Sequence, residues 1–252
     1  MTVVQTDSIA SFDGTPLAVH RTGQGRPVLL LHGLFSDAQT NWIKFGHAAK
    51  LAKAGFAVFM PDLRAHGQSG KPHDPTAYPP DVLARDITAI VAHYGWTEFD
   101  LAGFSLGART AARCVINGMR PGRLALCGMG LEGLAGWANR AAFFLDAIGR
   151  FDEVRNGDRA FMAVSFMKTM KVDRVAARLL LQSVADAEPA QLTGGITMPT
   201  LVLCGEDDRD NGSPEKLAQL LRDAQLRFIP GTHMSSVARP EMGEALAEFF
   251  IA

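Results

Sequence analysis

Export, disulfide scaffolding and polyelectrolyte binding each lack a signature in this chain. Cysteine is scarce: Cys114, Cys127 and Cys204 are the three among 252 residues, each alone within an apolar segment. That count and scatter exclude a disulfide framework and offer no metal-ligand spacing. The three read as small buried hydrophobes, and a reducing cytoplasm is the expected compartment. Excess charge of either sign is missing too. With 25 basic and 26 acidic residues the net charge is −1, which leaves no electrostatic case for nucleic acid or an anionic membrane surface. No apolar run reaches the length of a membrane span. The segment Met1-Thr2-Val3-Val4-Gln5-Thr6-Asp7 lacks the basic start and apolar centre of an export signal, so none is expected. Internal repeats and low-complexity tracts are absent as well.

What is present is the balance of a compact soluble protein, 47% hydrophobic and 20% charged, at a length that suits one large α/β domain. Short aliphatic runs alternate with helical patterns, which predicts a mostly parallel sheet of about eight strands with helices on both faces. Ser8–Phe12 and Leu17–His20 flank the turn Asp13-Gly14 and predict an opening antiparallel pair. Pro27–Leu31 and Ala57–Met60 are continuous apolar runs, as strands buried on both faces require. The strand-like Phe99–Ala102, with Leu124–Cys127 and Thr200–Cys204, completes the central set. Leu226–Ile229 is a shorter last strand. Helical patterns fall near Ala38–Ala54, Pro79–Tyr94, Leu106–Asn117, Pro214–Leu221 and Pro240–Phe250. Pro214 and Pro240 suit a first helical turn, where a missing N–H costs little. Residues 130–193 contain no strand pattern, only helical stretches at Trp137–Ile148, Arg159–Lys171 and Val172–Val184. They predict a helical cap inserted after the sixth strand, between core segments 1–129 and 194–252.

Gly103-Phe104-Ser105-Leu106-Gly107 reads G-x-S-x-G between a predicted strand and a predicted helix. On such a turn a serine is lifted clear of the sheet with its hydroxyl exposed, and the helix N-terminus behind it offers N–H groups to an anion. With 25 glycines in the chain, the pentapeptide alone competes with a glycine-rich turn carrying an incidental serine.

Serine needs a base, an orienter for the base and donors for the oxyanion. His233, in Gly231-Thr232-His233-Met234, follows the last predicted strand and can reach the C-terminal edge of the sheet, where ligands of open α/β folds bind. His20, His32, His47, His66, His73 and His93 compete, but the chain order nucleophile, acid, histidine favours His233. Glu206, Asp207, Asp208 and Asp210 follow the strand ending at Cys204. Asp208 is the chosen acid, with Asp207 and Asp210 as fallbacks and Glu132, after Cys127, as a weaker alternative. The other carboxylates form a solvated acidic loop. The oxyanion donors are the N–H of Leu106, after the nucleophile, and that of Leu34, in the loop His32-Gly33-Leu34-Phe35. His32 then shapes that loop without acting as a base.

The ordered set His32-Gly33, Asp62-Leu63-Arg64-Ala65-His66-Gly67-Gln68-Ser69, the serine elbow, Gly205-Glu206-Asp207-Asp208 and Gly231-Thr232-His233 resembles the α/β-hydrolase superfamily over nearly the whole chain. Asp62–Ser69 resembles that family's D-x-R-G-x-G-x-S loop, with Ala65 in place of a glycine. The resemblance implies the matching fold, selects Asp208 by its distance from the strand-ending glycine, and implies a cap over the site. Phe35, Phe104, Met129 and Met234 neighbour the expected catalytic elements and are candidate pocket residues, with Trp137 from the cap. Phe143, Phe144, Phe161, Met162, Phe166, Met167 and Met170 read first as the cap's own packing face.

The expected reaction is acyl transfer from a small-molecule ester to water, with lactones and thioesters as close variants and no metal or organic cofactor required. Aspartate-based dehalogenases and epoxide hydrolases are disfavoured by Ser105. Carbon–carbon hydrolases of ring-cleavage products usually carry Asn before the serine and Trp after the histidine, where this chain has Phe104 and Met234. Cofactor-free perhydrolases share the triad. A small-molecule receptor on the same fold remains the alternative from another class.

Overall fold

The structure, a computed structural model, describes residues 3–184 and 189–252. Met1 and Thr2, and residues 185–188 of the expected insertion, lie outside the described residues. Eight strands form one sheet: β1 (Gln5–Ala10), β2 (Pro16–Gly23), β3 (Arg26–Leu31), β4 (Phe56–Pro61), β5 (Asp100–Phe104), β6 (Leu124–Cys127), β7 (Thr200–Gly205) and β8 (Ala224–Ile229). Their spatial order is β1-β2-β4-β3-β5-β6-β7-β8. The β1/β2 and β2/β4 pairs are antiparallel and the rest are parallel. Every run expected as a strand is one.

Period-2 alternation divides the strand side chains between two cores. Leu29, Leu31, Leu101, Leu124, Leu126 and Val202 face one. Val28, Leu30, Ala102, Ala125, Leu201 and Leu203 face the other. The helices α1 (His47–Lys53), α2 (Val82–Tyr94) and α3 (Leu106–Ile116) cover the first half of the sheet. Between β6 and β7 lie α4 (Leu131–Ala135), α5 (Trp137–Gly149), α6 (Phe161–Thr169), α7 (Arg174–Ser183) and α8 (Pro189–Gly195), and no strand occurs there among the described residues. The chain ends with α9 (Pro214–Leu220), α10 (His233–Ser236) and α11 (Pro240–Ile251). Pro214 and Pro240 occupy first helical turns, and Ser213 caps α9 through the Lys216 N–H.

The sequence pattern does not mark the short helices α4, α8 and α10, and two expected helices differ in extent. The pattern Ala38–Ala54 is split into a wide π-type turn at Gln39–Ile43 and α1, separated by Gly46 at φ 81°. Its hydrophobic period continues across a break that only the left-handed glycine reveals. The helix expected from Pro79 starts at Val82, because Pro80 disfavours helical backbone at the residue before it. Arg64 is fully buried and ties the Asp62–Ser69 loop to the β1–β2 turn and α2. Its guanidinium donates to Asp13 at 2.6 and 2.9 Å and to Asp86 at 2.7 and 3.0 Å.

Candidate active site

β5 ends in a turn whose apex, Ser105, sits at φ 53°, ψ −112°, and α3 begins at the next residue. Backbone of this kind costs a non-glycine residue ~1–3 kcal/mol and persists only where the surroundings impose it. Here the Ser105 N–H donates to the Cys127 carbonyl at 2.9 Å and its own carbonyl accepts from the Arg109 N–H at 3.0 Å. Gly107 lets α3 pass against β3: a Cβ there would fall on the Leu31 carbonyl.

The loop after β7 and the first residue of α10, which follows β8, bring two further side chains to this apex. Ser105 Oγ lies 3.1 Å from His233 Nε2, and His233 Nδ1–H donates to Asp208 Oδ2 at 2.8 Å. All three residues are buried. Of the four acidic residues after β7, Asp208 alone is buried; Glu206, Asp207 and Asp210 are exposed. Burial pushes the Asp208 carboxyl up, but the His233 hydrogen bond and charge outweigh it, with the Asp210 N–H and Arg140 adding to them, and hold it below the usual carboxylate range. Glu132 is turned away, accepting from the Ser213 N–H at 2.8 Å and Lys216 at 3.0 Å. The Phe104 ring packs behind the imidazole, with centroids 4.9 Å apart.

Accounting for the N–H groups of the loop after β3 locates its free donor. The Gly33 N–H donates to Asn41 Oδ1 at 3.0 Å and the Phe35 N–H to His66 Nε2 at 3.0 Å. The Ser36 N–H turns back to the Gly33 carbonyl at 3.2 Å. Among the described residues the Leu34 and Leu106 N–H groups have no such partner. Leu34 and Leu106 are the two positions expected from the sequence to serve the oxyanion.

Two buried imidazoles brace this loop. His32 donates from Nδ1 to the Gly33 carbonyl at 2.8 Å and accepts the Leu63 N–H at Nε2, 2.9 Å. His66 donates from Nδ1 to the Arg64 carbonyl at 2.9 Å while its Nε2 holds Phe35. Their rings meet edge to face at 5.1 Å. The part of His66 was missed from sequence, although its position inside the Asp62–Ser69 motif was a signal. Asn41 offered none, since its role follows from the break in the helix before α1.

Burial lowers the pKa of His32 and His47, and pushes His66 down to about 3 from the ordinary 6.5. Because each folded-state value is depressed, the unfolded chain takes up these protons first. Their contribution to stability is complete above about pH 6.5 and is lost as the pH falls towards the folded values. Each group removes ~1.4 kcal/mol per pH unit in that window. Thermal melting followed by circular dichroism from pH 8 to 5 is expected to show Tm falling below about pH 6.5. A flat Tm from pH 7 to 5 would contradict the neutral assignments.

Of the candidate pocket residues, Phe35, Met129 and Trp137 are buried, as is Phe104. Phe35 borders a cavity of about 350 Å³ shared with Ser36, Asp37, His66, Lys71 and Met170. Trp137 Nε1–H donates to the Leu181 carbonyl at 3.4 Å, within the helices between β6 and β7. Met234 is 56% exposed, so the residue after the histidine faces solvent. No group of three or more His, Cys, Asp or Glu is placed to hold a metal ion among the described residues. No described helix is long and apolar enough to cross a membrane.

A sequence model described as the alpha/beta hydrolase fold matches residues 26–123. The chain is 28% identical over 258 residues to a non-heme haloperoxidase from Rhodococcus erythropolis, covering 88% of this chain and 90% of that protein. An esterase structure from Exiguobacterium antarcticum superposes with a TM-score of 0.79 at 19% identity, covering 98% of this chain and 100% of that one. The enol-lactonase from Burkholderia xenovorans gives 0.76 at 21% identity, with 98% and 100% coverage.

Proposed function

We propose that the chain is a member of the α/β-hydrolase superfamily, a reading that its fold and the sequence model matched over residues 26–123 support, and that it hydrolyses a carboxylic ester, lactone or thioester through Ser105, His233 and Asp208. The observation that carries this reading is the hydrogen-bonded series from Ser105 Oγ to His233 at 3.1 Å and on to Asp208 at 2.8 Å. Ser105 attacks the substrate carbonyl as His233 Nε2 accepts its proton, and Asp208 fixes the tautomer and stabilises the imidazolium. The Leu34 and Leu106 N–H groups stabilise the oxyanion, an interaction worth ~10²–10³-fold in kcat per donor. His233 protonates the leaving group, then activates water to hydrolyse the acyl-enzyme. The helices between β6 and β7 serve as the cap, and the small-molecule acyl substrate enters beneath them. Serine at the elbow supports this reading over aspartate-based hydrolysis, and Phe104 and Met234 support it over carbon–carbon cleavage.

A panel of p-nitrophenyl esters, lactones and thioesters of graded length tests the reading. Saturable hydrolysis of at least one of these acyl classes is expected. Saturable binding without turnover of any would replace the enzyme by a receptor.

A further inference from the structure

Helix α5 carries an arginine, Arg140, that no described carboxylate contacts in an ion pair. Arg140 is half-buried, and its Nη1 donates to the Asp210 carbonyl across the acid loop. Burial lowers its pKa, opposed by the charges of Asp210 and Asp208. A cation withdrawn from water without a directly paired carboxylate is unfavourable. Among the described residues its close contacts are the Asp210 carbonyl and the face of Phe144, 5.6 Å away, with the Asp208 and Asp210 charges acting from beyond hydrogen-bond reach.

The position of that cation is informative. Arg140 and Phe144 are one helical turn apart and share a face of α5. Arg140 reaches the loop that bears Asp208, while the Phe144 ring meets Phe35 edge-on at 5.4 Å. Phe35 follows Leu34, the free donor of the other loop. The same face of α5 therefore spans from the acid loop to the oxyanion loop, and the Ser105–His233 pair lies between those two loops. Other arginines nearby are engaged: Arg109 donates to the Gly133 and Leu134 carbonyls, and Arg150 pairs with Asp146 and Asp158.

We propose that Arg140 is a specificity residue that binds a carboxylate on the substrate, so that the preferred ester or lactone is itself anionic. A guanidinium fork matches a carboxylate in two parallel hydrogen bonds, and the partly desolvated setting strengthens them. Phe144 and Phe35 contact the short apolar span between that carboxylate and the reacting carbonyl. The inference rests on the hydrolase reading for its kinetic arm, but not for its binding arm.

The kinetic arm compares mono-p-nitrophenyl glutarate, which is anionic, with the neutral p-nitrophenyl butyrate. The ratio of their kcat/KM values is expected to fall ~30-fold or more in Arg140→Gln, with part of it restored in Arg140→Lys. A purely structural role, through the tie to Asp210, would change both esters alike and leave the ratio unmoved. That result would overturn the proposal. The binding arm titrates Ser105→Ala with monomethyl glutarate and dimethyl glutarate by calorimetry. The monoanion is expected to bind at least 10-fold more tightly, and Ser105→Ala/Arg140→Gln to lose that preference. Equal binding of the two compounds would refute the carboxylate site. If wild type hydrolyses no ester while the monoanion preference stands, the hydrolase reading fails and the Arg140 site survives.

Discussion

Ser105→Ala lowers kcat/KM for the best ester of the panel by ~10⁴-fold or more, with Tm within a few degrees of wild type. The size follows from geometry. Ser105 Oγ is the hydroxyl within hydrogen-bond reach of His233 Nε2, and its removal leaves the imidazole with no nucleophile except water. The residual rate reflects the oxyanion donors and binding alone. Stability should change little, because the strained turn is imposed by backbone bonds to Cys127 and Arg109, which alanine keeps. Steady-state kinetics with melting curves on the same samples checks both halves. Activity within 10²-fold of wild type would move the nucleophile elsewhere.

Asp208→Asn costs ~10³–10⁴-fold in kcat while Asp207→Asn and Asp210→Asn stay within about 3-fold, as surface substitutions usually do. An asparagine amide at position 208 has the carboxylate's shape, but it can present N–H to His233 Nδ1. The imidazole would then carry its proton on Nε2 and could not accept one from Ser105. Asp207 and Asp210 are exposed, so neither makes a buried contact for that exchange to disturb. Parallel kinetics on the three variants checks the ordering. A larger loss in Asp207→Asn or Asp210→Asn would reassign the acid.

Much of this site was legible because its residues sit at strand ends. Apolar runs such as Leu124–Cys127 mark buried parallel strands. Ser105 and Asp208 follow the buried strands β5 and β7, while His233 follows the shorter, largely exposed last strand β8. Leu34 and Leu106 were legible for the same reason, as backbone positions fixed by those loops. What escaped depends on contacts between distant segments. Nothing local marks Asn41 as the acceptor for Gly33, or Arg140 as the residue of α5 that reaches the acid loop. His66 lay within a recognised motif, yet its hold on the Phe35 N–H appears only when the two loops are packed together. Ala65, where the resembling loop has glycine, stands at φ 70°. The replacement therefore keeps a left-handed backbone, at ~1–2 kcal/mol for an L-residue.

The central claim is that Ser105 is the group made covalent during turnover. Treating the protein with a p-nitrophenyl phosphonate and digesting it for mass spectrometry tests this most directly. One phosphonyl group on the peptide containing Ser105 is expected, accompanied by stoichiometric p-nitrophenolate and loss of activity, and no adduct forms in Ser105→Ala. An adduct on another residue, or inactivation with Ser105 unmodified, would contradict the account.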